Sequence, residues 1–456
     1  MSGNTSILGV AGNPVLHSMS PFLFREFFRI SGDDAVYTRI AASSAAEAIA
    51  IFRSLGMRGM NLTAPFKEAA AALVDELTPD ARLLGAVNCL VPMEAGRILG
   101  ANTDSAGVLG ALHGRGVELG GKRCLVIGAG GAGKAAVRAL VSAGGDVVVV
   151  NRTRSRADEV AALFGCEAAG LDALADLAKG AAVIVSTLAS QTLPQPETWL
   201  PESSTAAVLD ADYKSGALAH FAAERGLVVA TGADWLTCQA IPAYELFMGK
   251  AANADANDLA ADLAADLAVA LTRAKRPNAK GGKIALVGLM GAGKTQTGRA
   301  LAELLSIPFI DVDREIEAEA GRKVSAIFEA EGEAGFRELE RRTIERLTAA
   351  PGPAVLATGG GAPTNPATAG LLRERCLCVW LQVSPETAAE RTRGDALSGG
   401  EVRPLLADGD PLSRLRILEA GRRGAYASCA ELLVSTEGRE AREVAEVIHV
   451  EIDRVS

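Results

Sequence analysis

Two glycine-rich turns of different design carry the most legible chemistry in this chain. The first, Gly128-Ala-Gly130-Gly131-Ala132-Gly133, follows the apolar run Cys124-Leu-Val-Ile127 and leads into Lys134-Ala-Ala-Val-Arg-Ala-Leu140. Strand, turn and helix in that order set a pyrophosphate on a helix N-terminus, where unpaired amides and the helix dipole favour an anion. The second, Gly288-Leu-Met-Gly291-Ala-Gly293-Lys294-Thr295, follows Lys283-Ile-Ala-Leu-Val287. Its amides can wrap a triphosphate, with Lys294 reaching the outer phosphates and the Thr295 hydroxyl holding Mg²⁺. One turn predicts a dinucleotide site and the other an ATP site.

The strand after the first turn ends at Asn151-Arg152-Thr153-Arg154-Ser155-Arg156, where a carboxylate would bind a ribose 2′-hydroxyl. Guanidinium groups suit a 2′-phosphate instead, so NADP(H) is expected over NAD. A reductase also needs a proton donor tuned by a close partner. Lys67 and Asp104 are candidates, in the polar, turn-rich segments Asn61-Leu-Thr63-Ala-Pro65-Phe-Lys67 and Gly100-Ala-Asn102-Thr103-Asp104 at the ends of apolar runs.

Beyond the second turn, Phe309-Ile-Asp311-Val-Asp313 puts two carboxylates two positions apart at a strand end, projecting to one side. One could serve Mg²⁺ and the other a hydroxyl nucleophile. Asp313 could also cap a helix opening at Arg314-Glu-Ile-Glu317. Further on, Gly359, Gly360 and Gly361 allow close approach of backbone amides to a small ligand. Arg337 and Arg422 could clamp a carboxylate bidentately, and Arg403 could neutralise a transferring phosphoryl group.

The elements that must position these groups read as α/β throughout. Short apolar runs (Ile7 to Val10, Met57 to Leu62, Ala86 to Val91) alternate with helical stretches at Pro21 to Ile30 and Ala45 to Leu55. Val147 to Val150, Ala182 to Val185 and Ala207 to Asp210 continue from Lys122 as the strands of a dinucleotide-binding sheet. Leu259, Leu263, Leu267 and Leu271 recur every fourth residue as one helical stripe, and the polar, aperiodic Arg273 to Gly282 reads as a linker.

The 456 residues suggest about three domains. No apolar stretch reaches the roughly 18 residues that span a bilayer, and the N-terminus lacks a basic leader, so an unexported cytoplasmic protein is expected. A net charge of −9 argues against nucleic acid or an anionic membrane as partner. The seven cysteines include no CxxC pair and the four histidines are scattered, so neither a zinc site nor a disulfide framework is expected.

Taken together, Ser18-Met-Ser20-Pro21, the Asn61 to Lys67 and Asn102 to Asp104 segments, Gly85-Ala-Val-Asn88, the first glycine turn and Asn151-Arg152-Thr153 resemble shikimate dehydrogenase in order and spacing, over about residues 5–272. That resemblance implies that Ser18 and Ser20 bind the substrate carboxylate and that Asn61, Thr63, Asn88 and Asp104 bind ring hydroxyls. It makes Lys67 and Asp104 the catalytic pair, gives Gln239 and Tyr213 substrate contacts, and gives NADP to Gly128, Gly130, Gly131, Ala132, Asn151, Arg152, Thr153 and Arg156. Ser20, where quinate-using relatives carry threonine, favours shikimate. The chain departs from the family at Val185-Ser186-Thr187, at Lys214 to Ala217 and at Ala233-Asp234-Trp235-Leu236.

Residues 283–456 resemble shikimate kinase through the Walker-type loop, Asp311 and Asp313, Gly335-Phe-Arg337, the glycine triplet, Arg403-Pro404 and Arg422-Arg423. The resemblance implies that Asp313 takes the substrate hydroxyl and that Thr295 and Asp311 serve the metal. Arg337, Gly359, Gly360, Gly361 and Arg422 hold substrate; Gly291, Gly293, Lys294, Thr295 and Arg391 hold ATP; and residues 393–402 form a lid carrying Arg403. Lys294, Asp313 and Arg403 would be catalytic. The implied layout is a substrate domain at 1–106, a Rossmann domain at 107–235, closing helices at 236–272, a linker at 273–282 and a P-loop kinase domain with a parallel sheet at 283–456. The expected substrates are 3-dehydroshikimate and shikimate, with NADP(H), ATP and Mg²⁺ as cofactors.

Overall fold

In the computed structural model of the chain, the described residues are 5–212, 216–250, 282–397 and 410–454. The leucine stripe, residues 273–281 of the linker, residues 398–402 of the lid, Tyr213 and Arg403 lie outside them. The chain divides into two compact units: Met1–Pro21, Asp33–Phe66 and Lys275–Ser456 make one, and Phe22–Gly32 and Lys67–Ala274 the other.

The second unit contains a six-stranded parallel sheet in the order Val229–Thr231, Ala207–Asp210, Val183–Ser186, Arg123–Ile127, Asp146–Asn151 and Glu167–Gly170. Helices cover both faces of such a sheet, which is why its central strands read as unbroken apolar runs: Val147 to Val150 are all at most 3 % exposed. The order reverses between Arg123–Ile127 and Val183–Ser186, and ligands of doubly wound sheets bind at that switch point. The first glycine turn sits there, ahead of the helix Gly131–Ser142.

In the first unit a parallel sheet runs in the order Phe309–Asp311, Ala354–Ala357, Lys283–Val287, Leu377–Gln382, Leu432–Ser435, Ala35–Ala41, Ser6–Gly12 and Gly59–Leu62. Its strands come from opposite ends of the sequence. Leu432, Leu433 and Val434 stand in register with Arg39, Ile40 and Ala41. The Thr38 hydroxyl donates to Ala430 O at 3.2 Å, Arg439 pairs with Glu47 at 2.7 Å, and Arg423 donates to Leu55 O at 3.1 Å. Pairing of these two strands satisfies backbone groups that would otherwise form an exposed edge.

The helical stretches appear as Ser20–Ser31 and Ala45–Ser54. Ser44 caps the second, its hydroxyl accepting from the Glu47 amide. The helix expected from Arg314 begins earlier, at Val312, with Asp311 at its N-cap position. Asp313 is therefore in the first turn and is not the cap.

Candidate functional site

Lys67 opens the short helix Lys67–Ala71, and Asp104 opens Asp104–His113. Their side chains meet at 2.6 Å, Nζ to Oδ2. The other carboxylate oxygen accepts from Asn88 Nδ2 at 2.9 Å, and the same amide group reaches Thr103 Oγ1 at 3.0 Å and Gln239 Oε1 at 3.3 Å. Asn88 Oδ1 in turn accepts from the Thr103 backbone N–H at 2.9 Å. A lysine ammonium bonded to a carboxylate that is itself fixed by a second hydrogen bond is held in one place, as a positioned proton donor must be.

Trp235, at one of the departures from the family pattern, donates from Nε1 to Asp104 O at 3.0 Å. It therefore holds the backbone that carries Asp104. Asp234 beside it completes a capping box with Thr231 and pairs with Arg115 at 2.9 Å. Ser105 donates to Ala135 O at 3.1 Å and so ties the Asp104 helix to the helix that follows the glycine turn.

At that turn Gly128 has φ +113°, and a Cβ there would lie 2.3 Å from Thr187 Oγ1. A Cβ on Gly133 would lie 2.1 Å from Gly128 O, so glycine is what lets helix and strand approach. Gly130 and Gly131 face nothing within 4 Å, which leaves the amide cradle accessible. Asn151 Nδ2 donates to Thr153 O at 3.0 Å. Arg154 pairs with Asp158, whereas exposed Arg152 and Arg156 form no ion pair among the described residues.

In the other unit the Asn61 side chain accepts from the Tyr37 hydroxyl at 2.6 Å, both groups buried. Ser18 and Ser20 are 8 % and 6 % exposed, with their hydroxyls 3.3 Å apart. Thr63 is half-buried, its amide bonded to Ala11 O at 2.9 Å. Tyr37 carries no sequence signal, since a strand tyrosine is ordinary core material.

In the Walker-type loop, Gly288, Gly291 and Gly293 all have positive φ, at 139°, 81° and 80°. Lys294 Nζ donates to Gly288 O and Leu289 O, each at 2.9 Å, and Thr295 Oγ1 donates to Asp311 Oδ2 at 3.1 Å. Arg391 donates to Gly291 O at 3.4 Å and to both oxygens of Thr436, which places its guanidinium beside the phosphate loop.

The glycine triplet is walled by the groups expected to hold a small acid. A Cβ on Gly361 would fall 2.1 Å from Arg337 Nη2; one on Gly359 would fall 2.3 Å from Glu340 Oε1 and 3.1 Å from Asp313 Oδ1. Arg422, 8 % exposed, donates to Gly360 O at 3.2 Å, as does the Tyr426 hydroxyl. Arg337 pairs with Glu340 at 2.7 Å and Glu333 at 3.2 Å. Arg337 Nε and Glu340 Oε1 are buried without a hydrogen bond, so both keep unused polar capacity beside the glycine triplet. Burial pushes the Glu340 carboxyl up to about 7 against the pull of Arg337. Glu340 received no role from the sequence, although its position three residues after Arg337 puts both on one helix face. Burial also raises the Cys124 and Cys238 thiols to about 11, which leaves them protonated and inert.

Fold and site thus define an oxidoreductase of the dinucleotide-binding type joined to a P-loop phosphotransferase. Models of three families match: shikimate dehydrogenase substrate binding domain over residues 10–90, shikimate / quinate 5-dehydrogenase over 112–206, and shikimate kinase over 290–453. The chain belongs to both the shikimate dehydrogenase and the shikimate kinase families, as a fused enzyme of the shikimate pathway. The shikimate dehydrogenase (NADP(+)) of Rubrobacter xylanophilus is 38 % identical over 265 residues, 55 % of this chain and 93 % of that protein. The shikimate kinase of Symbiobacterium thermophilum is 48 % identical over 161 residues, 35 % of this chain and 90 % of that protein. Among solved structures, the shikimate 5-dehydrogenase of Thermus thermophilus in complex with NADP(H) and shikimate is 34 % identical with a TM-score of 0.51, covering 57 % of this chain and 99 % of that one. Shikimate dehydrogenase from Aquifex aeolicus is 30 % identical with a TM-score of 0.53, over 57 % and 99 % of the two chains. No helix among the described residues is long and apolar enough to cross a membrane.

Proposed function

We propose that this chain catalyses two consecutive steps: reduction of 3-dehydroshikimate to shikimate with NADPH, then transfer of phosphate from Mg·ATP to the shikimate 3-hydroxyl. The observation that carries the reading is that both family memberships concern one ring acid, and that each family segment holds an oriented polar cluster suited to it.

For reduction, a nicotinamide held at the first glycine turn would supply hydride. Lys67 supplies a proton to the oxygen on which negative charge grows, and Asp104 holds the ammonium in position. Asn61, Thr63, Asn88 and Gln239 would orient ring hydroxyls, and Ser18 and Ser20 the carboxylate. The turn at Gly128, Gly130, Gly131 and Ala132 would suit a pyrophosphate, and Arg152 and Arg156, exposed and with no ion pair among the described residues, suit a 2′-phosphate.

For phosphoryl transfer, Arg337 and Arg422 clamp the acid's carboxylate beside Gly359 to Gly361, while Asp313 takes the hydroxyl proton. Thr295 and Asp311 are already within hydrogen-bond distance of each other, as two ligands of one Mg²⁺ would be. No cluster of three or more His, Cys, Asp or Glu among the described residues could hold a metal alone, so Mg²⁺ would take its other ligands from phosphate and water. Lys294 and Arg403 would stabilise the transferring group and Arg391 would face the adenine.

The domain divisions 1–106, 107–235, 236–272, 273–282 and 283–456 are part of this proposal, supported by the three matched segments. The cytoplasm is the proposed location, in keeping with seven cysteines of which none is in a disulfide. Intact protein given 3-dehydroshikimate, NADPH, ATP and Mg²⁺ should accumulate shikimate 3-phosphate with matching loss of NADPH absorbance. Shikimate that builds up unphosphorylated, or NADPH left unconsumed, would refute the corresponding half.

A further inference from the structure

Glu451 lies in the last turn of the helix Ala441–Asp453, inside the kinase-family segment, and is only 2 % exposed. Its carboxylate points to neither the phosphate loop nor the glycine triplet. It accepts from the Val15 amide, at 3.1 Å on Oε1 and 2.9 Å on Oε2, and from the Leu16 amide at 2.8 Å on Oε2. Those amides belong to the dehydrogenase-family segment, in the turn between the strand Ser6–Gly12 and the helix Ser20–Ser31. That turn carries Ser18 and Ser20.

Two further contacts carry the constraint along the turn. The Ser18 amide donates to Val15 O at 2.9 Å, so anchoring Val15 anchors Ser18. Arg39, on the strand paired with Leu432–Ser435, donates from Nε and Nη2 to Ser18 O at 3.0 and 2.7 Å. The amides of Val15 and Leu16 are thus fixed by the kinase segment's last helix. The carbonyl of Ser18 is fixed from a strand that the kinase sheet extends.

A carboxylate in the last turn of a helix opposes the helix dipole, and burying it costs desolvation. Arg454, at the C-cap of the same helix, and Arg39 offset part of these costs, and the two amides of the turn supply the hydrogen bonds. The acceptor-only carboxylate takes both N–H groups in charge-assisted bonds; a glutamine amide oxygen could still accept from them, but without the charge, and its other head, a donor, could not take the contact from Val15 to Oε1.

We propose that Glu451 is a positioning residue for the dehydrogenase reaction, supplied by the kinase segment: it holds the Val15 to Ser20 turn so that the Ser18 and Ser20 hydroxyls meet the ring acid's carboxylate. This rests on the reading that those serines bind that carboxylate. Hydroxyl pairs recognise an anion only if their supporting backbone is held within a fraction of an ångström. The kinase segment therefore forms part of the dehydrogenase's binding apparatus, beyond being attached to it.

The test is steady-state kinetics of both activities in full-length Glu451→Gln, with Glu451→Asp as the charge-retaining variant and Ser18→Ala as the control on the underlying reading. In Glu451→Gln the KM for shikimate in NADP⁺-dependent oxidation should rise about tenfold, the scale of one lost charge-assisted hydrogen bond. The KM for NADP⁺ and both kinase constants should stay within about twofold, and Glu451→Asp should recover part of the loss. If Glu451→Gln does not fold, Glu451→Asp carries the same comparison against wild type. An unchanged KM for shikimate in a folded variant overturns the proposal, as does a parallel loss in both activities. Wild-type protein that does not oxidise shikimate, or a Ser18→Ala protein with unaltered KM, overturns instead the reading on which the proposal rests.

Discussion

Lys67 Nζ and Asp104 Oδ2 lie 2.6 Å apart, each residue opening its own helix, and the second carboxylate oxygen is occupied by Asn88. Asp104 thus has one oxygen free to serve the lysine and one that sets its orientation. In the proposed mechanism, replacing Lys67 by Ala removes the proton source. The expected loss in dehydrogenase kcat is about 10²- to 10⁴-fold, the usual contribution of general acid–base catalysis. ATP-dependent phosphorylation should be unaffected, because the kinase cluster is built in the other compact unit. Assaying both activities on one purified variant checks this, and simultaneous loss would contradict the assignment.

Much of that pair was legible before the structure, because the polar segments holding Lys67 and Asp104 end apolar runs, and strand ends are where side chains leave the core. The glycine turns were equally legible, since positive φ at Gly128, Gly288, Gly291 and Gly293 is a local demand that only glycine meets cheaply. What escaped was non-local. Pairing of Ala35–Ala41 with Leu432–Ser435 joins positions nearly a whole chain apart, and no window of sequence contains both. Glu451 looked like any charge on an amphipathic helix, and Trp235 like a departure from a motif, until partners from elsewhere in the chain were in view.

Arg152 is exposed and forms no ion pair among the described residues, whereas Arg154 is engaged by Asp158. A guanidinium that recognises a 2′-phosphate discriminates between the two nicotinamide dinucleotides; one that only solvates the turn does not. Arg152→Ala should raise the KM for NADPH about tenfold, consistent with one charge-assisted contact, and leave that for NADH nearly unchanged. Equal effects on both would remove Arg152 from the phosphate site.

Gly361 has no unusual backbone angle, φ −109°, so its side-chain requirement is purely one of space. A methyl group there would collide with the Arg337 guanidinium, which Glu333 and Glu340 hold in place. Gly361→Ala should therefore displace Arg337, the proposed carboxylate clamp, and raise the kinase KM for shikimate by about tenfold or more, the cost of a misplaced bidentate contact. The KM for ATP should change little. A crystal structure or titration showing shikimate bound as in wild type would exclude this role for the triplet.

Glu340 links kinase stability to pH. It is buried among Arg337, Asp313 and Arg422, and burial raises its carboxyl from the ordinary 4.5 to about 7. Below pH 4.5 both the folded and unfolded chains hold this proton. Between about 4.5 and 7 the unfolded chain releases it while the folded chain keeps it, so unfolding becomes progressively easier as pH rises. The stabilising contribution is complete below the unfolded value and gone above the folded one, and at 1.36 kcal/mol per pKa unit its size is about 3 kcal/mol. Glu340→Gln, which cannot ionise, should lose this decline. Urea midpoints of the transition that reports on the kinase segment, taken at pH 5, 6 and 7 for both proteins, should converge at low pH and separate in favour of the variant as pH rises. Parallel curves would show that Glu340 titrates alike in both states, leaving the Arg337 ion pair to offset its burial in full.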